Sequence, residues 1–239
     1  PKTDGGYIVD KRIFNRTDTL ITCGLNDDWE FEKSFLKKNK NFKIFVYDHT
    51  VTKKFWLSRF KKDIVSLLLL KKLKIGKILD VFKYIDYQLF FRNNKKHFEK
   101  KIVFKAKGNQ ETTIPKIIND HNKVVLKIDI EGDEYKILND IKKNSKRIFF
   151  LLIEFHNVHK NLIKIRNFIT KSDLKIIHIH ANNYGGIDKN GIPKVIELSM
   201  LNSKKIKINR ILSKRKYPII DLDYKNFKRR EDIKIEFNK

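Results

Sequence analysis

Asp129 and Glu131 stand in the run Leu126-Lys127-Ile128-Asp129-Ile130-Glu131-Gly132-Asp133-Glu134-Tyr135-Lys136, where an apolar strand meets two carboxylates, a glycine and a helix start. Alternate residues of a strand share a face, so the spacing predicts that Asp129 and Glu131 point the same way. Gly132 permits a tight turn, and Asp133 and Glu134 suit the positive end of the next helix. Acids at the carboxyl end of a parallel strand lie where open α/β sheets bind ligands. A plain strand-to-helix turn with solvated acids has the same local pattern.

Histidines add to this. Four of the seven, His156, His159, His178 and His180, fall within one short stretch. Glu154 and His156 share a face at one predicted strand end, and His178 and His180 share a face on the next. Asn182, Asn183 and Tyr184 follow, then Gly185-Gly186. Asp129, Glu131, Glu154, His156, His180 and the two amides are therefore expected on one rim. A histidine there could take a proton from an acceptor hydroxyl. Asp129, His156 and His180 could also hold a divalent metal, and pairing of these histidines with neighbouring acids is the bland alternative. Near the N-terminus, Cys23-Gly24-Leu25-Asn26-Asp27-Asp28 reads as a strand, a glycine turn and a capped helix, either a nucleotide-type turn or an ordinary βα loop. Asn26 can adopt positive φ and serve as a second turn residue. Asp48 ends the next strand, where an acid commonly meets a ribose hydroxyl, or it caps the helix behind it.

These groups need a scaffold. Strands are predicted over 19–23, 42–47, 102–105, 124–130, 147–155, 174–180 and 195–201. The near-continuous apolar run 147–155 is that of a buried central strand. Helices are predicted over 28–38, opened by an Asp27-x-x-Glu30 capping box with Phe31, Phe35 and Leu36 inward, and over 52–73, with Trp56, Phe60 and Ile64 on one stripe. Gly76 breaks that helix, and others follow over 77–91, 113–119, 135–142 and 160–171, with 92–96 a polar connection. The alternation predicts a mostly parallel, doubly wound α/β sheet with an antiparallel strand near the C-terminus. A single domain over 1–239 is expected, with the basic segment 203–239 packed on it.

Hydrophobic residues make up 41% and charged residues 34% of the 239, which excludes a disordered chain. The lone Cys23 excludes a disulfide framework and a multi-cysteine zinc site, and it fits a reducing, cytoplasmic setting. No apolar run is long enough to cross a bilayer, and no secretory leader is visible. The sequence begins at Pro1 with no initiator Met, so an N-terminal piece is expected to precede it. A net charge of +26 favours polyanions or an anionic membrane. However, the excess is mostly Lys, spread along the chain beside abundant Ile and Asn, as an AT-rich coding sequence gives. No patch of Arg interleaved with aromatics stands out, so a nucleic-acid partner is not expected.

The segment Leu126 to Glu134 resembles the signature of the FkbM-type methyltransferases. Cys23-Gly24-Leu25-Asn26-Asp27-Asp28 with Phe31-Glu32 resembles a divergent first motif, and Val46-Tyr47-Asp48 the second. Ile153-Glu154-Phe155-His156, His178-Ile179-His180-Ala181-Asn182-Asn183-Tyr184-Gly185 and Tyr217-Pro218-Ile219-Ile220-Asp221-Leu222-Asp223-Tyr224 resemble later segments, so the similarity spans about residues 19–237. The resemblance implies a Rossmann-like class I methyltransferase fold and an S-adenosylmethionine-dependent O-methyltransferase, with a small-molecule or glycan acceptor such as a surface glycan or its precursor. It implies that Gly24, with Asn26 in its turn, approaches the methionine part of the cofactor, that Asp48 binds the ribose, and that Asn109, in the loop 107–111, lies near the adenine. Asp129 would sit between cofactor and acceptor, with His156, His180 or Asp129 as base and Glu131, Glu154, Asn182 and Asn183 toward the substrate. The single glycine of the first turn departs from the family pattern. Two other readings stay open: a nucleic-acid methyltransferase, and a binding module that kept the fold without the reaction.

Overall fold

The structure, a computed structural model, describes residues 7–68, 75–208 and 215–236. Among them the chain runs β1 (Thr19–Cys23), α1 (Glu30–Lys38), β2 (Lys43–Tyr47), α2 (Lys53–Leu68), α3 (Ile75–Phe90), β3 (Lys95–Phe98), β4 (Lys101–Ile102), β5 (Glu111–Thr112) and α4 (Ile114–Ile118). It continues through β6 (Val124–Ile128), α5 (Glu134–Lys143), β7 (Ile148–His156), α6 (Val158–Thr170), β8 (Leu174–Ala181) and β9 (Val195–Asn202). One seven-stranded sheet has the order β3-β2-β1-β6-β7-β9-β8, and β4 and β5 form a separate ribbon. All pairs of the large sheet are parallel except those of β9, which is antiparallel to both β7 and β8. This is the expected α/β sheet with an antiparallel strand near the end.

Both faces of the sheet are covered, as parallel sheets require. On one face Ile21, Cys23, Val124, Leu126 and Ile128 pack with α4, α5 and α6 through residues such as Ile117, Ile137 and Phe168. On the other, Leu20, Ile44, Val46 and Val125 pack with α1 and α2 through Trp29, Phe35 and Trp56, and α3 adds Tyr84 and Tyr87. The strands follow the period of two: Ile21 and Leu20 serve opposite layers. Strand order reverses between β1 and β6, where the chain winds outward through β2 to one side and through β7 to the other. The crevice above such a switch point is the natural ligand position of an open α/β sheet.

The structure corrects several sequence expectations. The third sheet strand is Lys95–Phe98, which begins within the expected polar connection 92–96, and not 102–105. An edge strand carrying lysines lacks the apolar run that marks a central one. Ile102 instead pairs with Thr112 in the small ribbon. Asp27 does not cap α1: Trp29 holds the cap position, and Asp27 pairs with Arg59 of α2 and Lys83 of α3. Asp28 takes the neighbouring role, its carboxylate accepting from the Glu30 amide at 2.8 Å. Gly76 lies in the first turn of α3, which begins at Ile75. The expected run of the preceding helix to Leu73 extends into residues 69–74, outside those described.

The C-terminal segment is fastened by buried polar contacts. The backbones of Tyr217 and Ile235 bond reciprocally at 3.0 and 2.9 Å. Asp223 accepts from the Ile219 amide and pairs with His178 of β8, each at 2.6 Å. Burial would raise the Asp223 carboxyl, but the bonds from His178 and Ile219 and the nearby His180 outweigh it and hold it below the usual aspartate range. A carboxyl lowered in the folded state stabilises at pH above its unfolded value of about 3.9, and that contribution fades as pH falls through the folded value. Hydrogen exchange at the amides of Tyr217 and Ile235 should therefore accelerate in acid below about pH 4. Asp223→Asn should lower stability by about 1–3 kcal/mol at neutral pH, read by thermal melting, and flatten this acid response. Equal exchange at pH 3 and pH 7 in the unmodified chain, after correction for intrinsic rates, would refute the role given to this pair.

Candidate functional site

The crevice begins with a backbone contact. β1 ends at Cys23, and Gly24 turns at φ 89°, its amide donating to the Tyr47 carbonyl at 2.9 Å. A Cβ on Gly24 would stand 1.6 Å from the carbonyl oxygen of Asp129. The Asp129 amide donates to the Cys23 carbonyl at 2.8 Å. The first turn and the end of β6 are thus joined through their main chains, which only a glycine permits. Asn26 takes positive φ at 55°, as its type allows.

Asp48 fixes this turn. One oxygen accepts from the Leu25 and Asn26 amides at 2.8 and 2.9 Å; the other accepts from the Thr50 amide and hydroxyl at 2.7 and 2.6 Å. Burial would raise its carboxyl, yet these four bonds hold it low. A carboxylate has about four acceptor positions, and the chain occupies all of them. Asp48 borders the cavity while being committed to the protein.

Asp129 and Glu131 do not share a face. β6 stops at Ile128, and Glu131 and Gly132 both take positive φ, at 54° and 102°. The Glu131 side chain is 83% exposed, whereas Asp129 has a buried Oδ1 with no hydrogen-bond partner. Burial, with Glu154 nearby, pushes the Asp129 carboxyl up to about 7.

His156 is enclosed by acids. Nδ1 lies 3.2 Å from Glu134, and Nε2 lies 3.2 Å from Glu154 and 3.3 Å from Glu131. Burial alone would lower this histidine, but its bonds with Glu134 and Glu154 outweigh it and carry it up to about 10. With Glu134 on one ring nitrogen and Glu154 and Glu131 on the other, the surroundings favour the protonated ring, a hydrogen-bond donor. Glu134 is fully buried, accepts from the His156 amide at 2.5 Å and from the Gly132 amide at 2.7 Å, and fixes both turns. By local pattern alone Glu134 is a helix-start acid. Its spacing to Leu138 and Ile141 was the available signal, because it lies on the inward stripe of α5.

His180 is elsewhere. The register sets Glu154 of β7 opposite Glu197 of β9, and Glu197 opposite His180 of β8. His180 is buried and pairs through Nδ1 with Glu197 at 3.2 Å. Burial would lower its ring pKa, but Glu197 raises it. His180 lines neither cavity described below, and the expected donor set of Asp129, His156 and His180 is not assembled. Asp129, Glu154 and His156 come together instead. Asn183 is buried, donating to the carbonyls of Phe227 and Arg230 at 3.1 Å and accepting from the Phe227 amide at 2.8 Å; it clamps the C-terminal segment. Asn109 is exposed on its turn and lines neither cavity. Asn182 faces Glu154 at 3.4 Å.

Two adjoining cavities share Gly24, Asn26, Asp129 and Glu131. The smaller, about 270 Å³, is bordered by Tyr47, Asp48, His49, Thr50, Lys101 and Ile102. The larger, about 460 Å³, is bordered by Glu154, His156, Asn182, Tyr184, Asn226 and Lys127. The Lys127 ammonium lies 5.1 Å from the Phe31 ring, 5.7 Å from the Tyr7 ring and 4.0 Å from the buried Glu32. Lys101, Lys127 and Tyr7 were not foreseen at the site. Small-molecule sites typically span about 300–1,000 Å³, and the joined pair falls in that range.

The pattern of the methyltransferase FkbM domain matches residues 11–184, well over half of the chain. No curated protein matches it. Among solved structures the chain is similar to a precorrin-6y C5,15-methyltransferase from Geobacter metallireducens GS-15, at 11% identity and TM-score 0.38, over 81% of this chain and 85% of that one. It is also similar to an uncharacterized protein from Listeria monocytogenes serotype 4b, at 12% identity and TM-score 0.38, over 85% of this chain and 72% of that one. No helix among the described residues is long and apolar enough to cross a membrane.

Gly24→Ala tests the main-chain contact. The new methyl must push the first turn away from Asp129, so melting should report a loss of about 3 kcal/mol. Unchanged stability would show that the two turns are not in contact.

Proposed function

Because the chain belongs to the FkbM methyltransferase domain family, we propose that it is an S-adenosylmethionine-dependent O-methyltransferase whose acceptor is a hydroxyl of a carbohydrate, a surface glycan or its precursor. The observation that carries the reading is the pair of cavities meeting at Gly24 and Asp129, directly above the switch point of the sheet. The smaller cavity suits a nucleoside: Tyr47 and Ile102 give it apolar walls, and Thr50 and Lys101 give it polar ones. Gly24 and Asn26, at the turn after β1, border both cavities, so a ligand spanning the two would pass close to the end of β1. When bound, the donor supplies an electrophilic methyl on a sulfonium.

The chain's own residues then have three tasks. The first is register, since holding donor and acceptor in line supplies much of the acceleration of a displacement. The second is charge. Carboxylates of Asp129, Glu131 and Glu154 around the shared wall favour a cationic donor. The third is the acceptor's proton. The acids around His156 favour its protonated, donating form, so base work falls to Asp129, whose Oδ1 has no partner. Glu131, Glu154 and Asn182 offer acceptors and an amide to sugar hydroxyls. The same acids argue against a polynucleotide, despite the net charge of +26, because phosphates would meet carboxylates at the reacting end.

Calorimetry with S-adenosylhomocysteine should give saturable, one-to-one binding. Asp129→Asn should melt as the unmodified chain does and lose about 100-fold or more in methyl transfer from a labelled donor. Absence of binding up to millimolar ligand, or full turnover by Asp129→Asn, would overturn the reading. Transfer of label to RNA and not to glycans in a mixed acceptor panel would overturn the acceptor class.

A further inference from the structure

We propose that Asp129, Glu154 and His156 form a binding site for one divalent cation of the Mn2+ or Mg2+ class, beside the wall the two cavities share. Each residue offers one donor atom, and these atoms lie within 4.8 Å of one another. Ligands on a common ion at about 2.1 Å lie roughly 3 to 4.2 Å apart, so small side-chain rotations close the set. Two carboxylate oxygens with one imidazole nitrogen suit such cations.

Four features separate this cluster from an ordinary acidic patch. Asp129 carries a buried oxygen with no hydrogen-bond partner. A buried carboxylate oxygen without a partner is costly unless a ligand completes it. The second feature is the orientation of His156. Its Nδ1 faces Glu134 at 3.2 Å, and Glu134 is itself held by the Gly132 and His156 amides. Metal-binding imidazoles ordinarily have such a carboxylate on the far ring nitrogen, which fixes the ring and makes the near nitrogen a better ligand. Here the near nitrogen, Nε2, already faces Glu154 and Glu131. On binding, Nε2 exchanges its proton for the ion and Nδ1 keeps its proton on Glu134.

The third feature is charge. Asp129, Glu131, Glu134 and Glu154 surround one imidazole in a chain whose net charge is +26. Like charges at such separations repel strongly in a partly buried site, and a doubly charged ion offsets them. The fourth is position. Asp129 borders both cavities, while Glu154 and His156 border the larger. An ion held there faces the acceptor side. It would hold two neighbouring oxygens of a substrate and stabilise the alkoxide formed when one passes its proton to the Asp129 carboxylate oxygen left off the ion. This deepens the methyltransferase reading, on which it rests, by naming the acceptor class as a vicinal diol.

The test uses untagged, chelator-treated full chain and Mn2+, followed by loss of the free-ion electron paramagnetic resonance signal. Binding should occur at one site without S-adenosylhomocysteine as well as with it. Glu154→Gln should weaken Mn2+ binding at least 10-fold, and Glu134→Gln about 10- to 100-fold, while S-adenosylhomocysteine still binds each variant. A Mn2+ soak of unmodified crystals should give an anomalous peak among the three side chains, which keeps the test decisive if a variant fails to fold. Mn2+ binding without S-adenosylhomocysteine binding would leave the cation site standing and remove the methyltransferase reading. S-adenosylhomocysteine binding with no Mn2+ uptake, or an anomalous peak elsewhere, would remove the cation site alone.

Discussion

The contact between Gly24 and the main chain of Asp129 is the constraint from which the rest of the site follows. Two strands adjacent in the sheet each end in a turn, and the turns touch backbone to backbone: Cys23 accepts from the Asp129 amide, and the Asp129 carbonyl fills the space where a Gly24 side chain would be. A residue with a Cβ would force them apart. Above the switch point, Gly24, Asn26, Asp129 and Glu131 face both cavities, so this contact lies where the two halves of the crevice meet. Asp48 secures the far side of the first turn with all its acceptor positions. Asn26 supplies a second positive-φ position in this turn without a second glycine.

Beneath this contact the polar groups of the crevice are anchored by carboxylates on buried helix positions. Glu134 of α5 holds His156 and Gly132 from one layer. Glu32 of α1 accepts from the Thr22 hydroxyl and lies 4.0 Å from Lys127 in the other. Buried charges are expensive, and replacing such pairs by apolar residues is often neutral or stabilising. Their presence at the ends of β1, β6 and β7, and not in the middle of the sheet, ties them to the orientation of Lys127 and His156. Each is a side chain that borders the larger cavity with a buried acid beside it.

What the sequence made legible follows the range of the interactions involved. The central strand over Ile148–His156 was plain, because burial on both faces writes a continuous apolar run. Gly24, Asn26, Asp48 and Asp129 lie at strand ends that local pattern identifies. Lys95–Phe98 was hidden, since an edge strand needs no apolar signature. His180 looked equivalent to His156 until the register brought Glu197 against it, a partner supplied by a later strand. Asn183 was read as facing a substrate, but its partners Phe227 and Arg230 are 44 and 47 residues away. The shared face assumed for Asp129 and Glu131 failed because the strand stops at Ile128, and a period of two says nothing about where a strand ends.

The two halves of the crevice are built differently, and that difference bears on what each can do. The smaller cavity draws on the loops after β1, β2 and β6, with Lys101 and Ile102 from the small ribbon. Its shape is set mainly by the sheet. The larger cavity takes Tyr7 from before β1 and Asn226 from the C-terminal segment, and Asn226 donates to Glu197 at 2.7 Å. Tyr184 stacks edge-on with Phe227 at 5.7 Å, and the Arg230 guanidinium lies 5.4 Å from the Phe227 ring. Segments of this kind vary more freely than the loops a sheet positions. The smaller half is therefore dictated by the sheet, and the larger is assembled in part from the chain's outer segments. The carboxylates of Asp129 and Glu131 stand on the boundary and border both halves, so the geometry of the first turn and of the end of β6 bears on each of them.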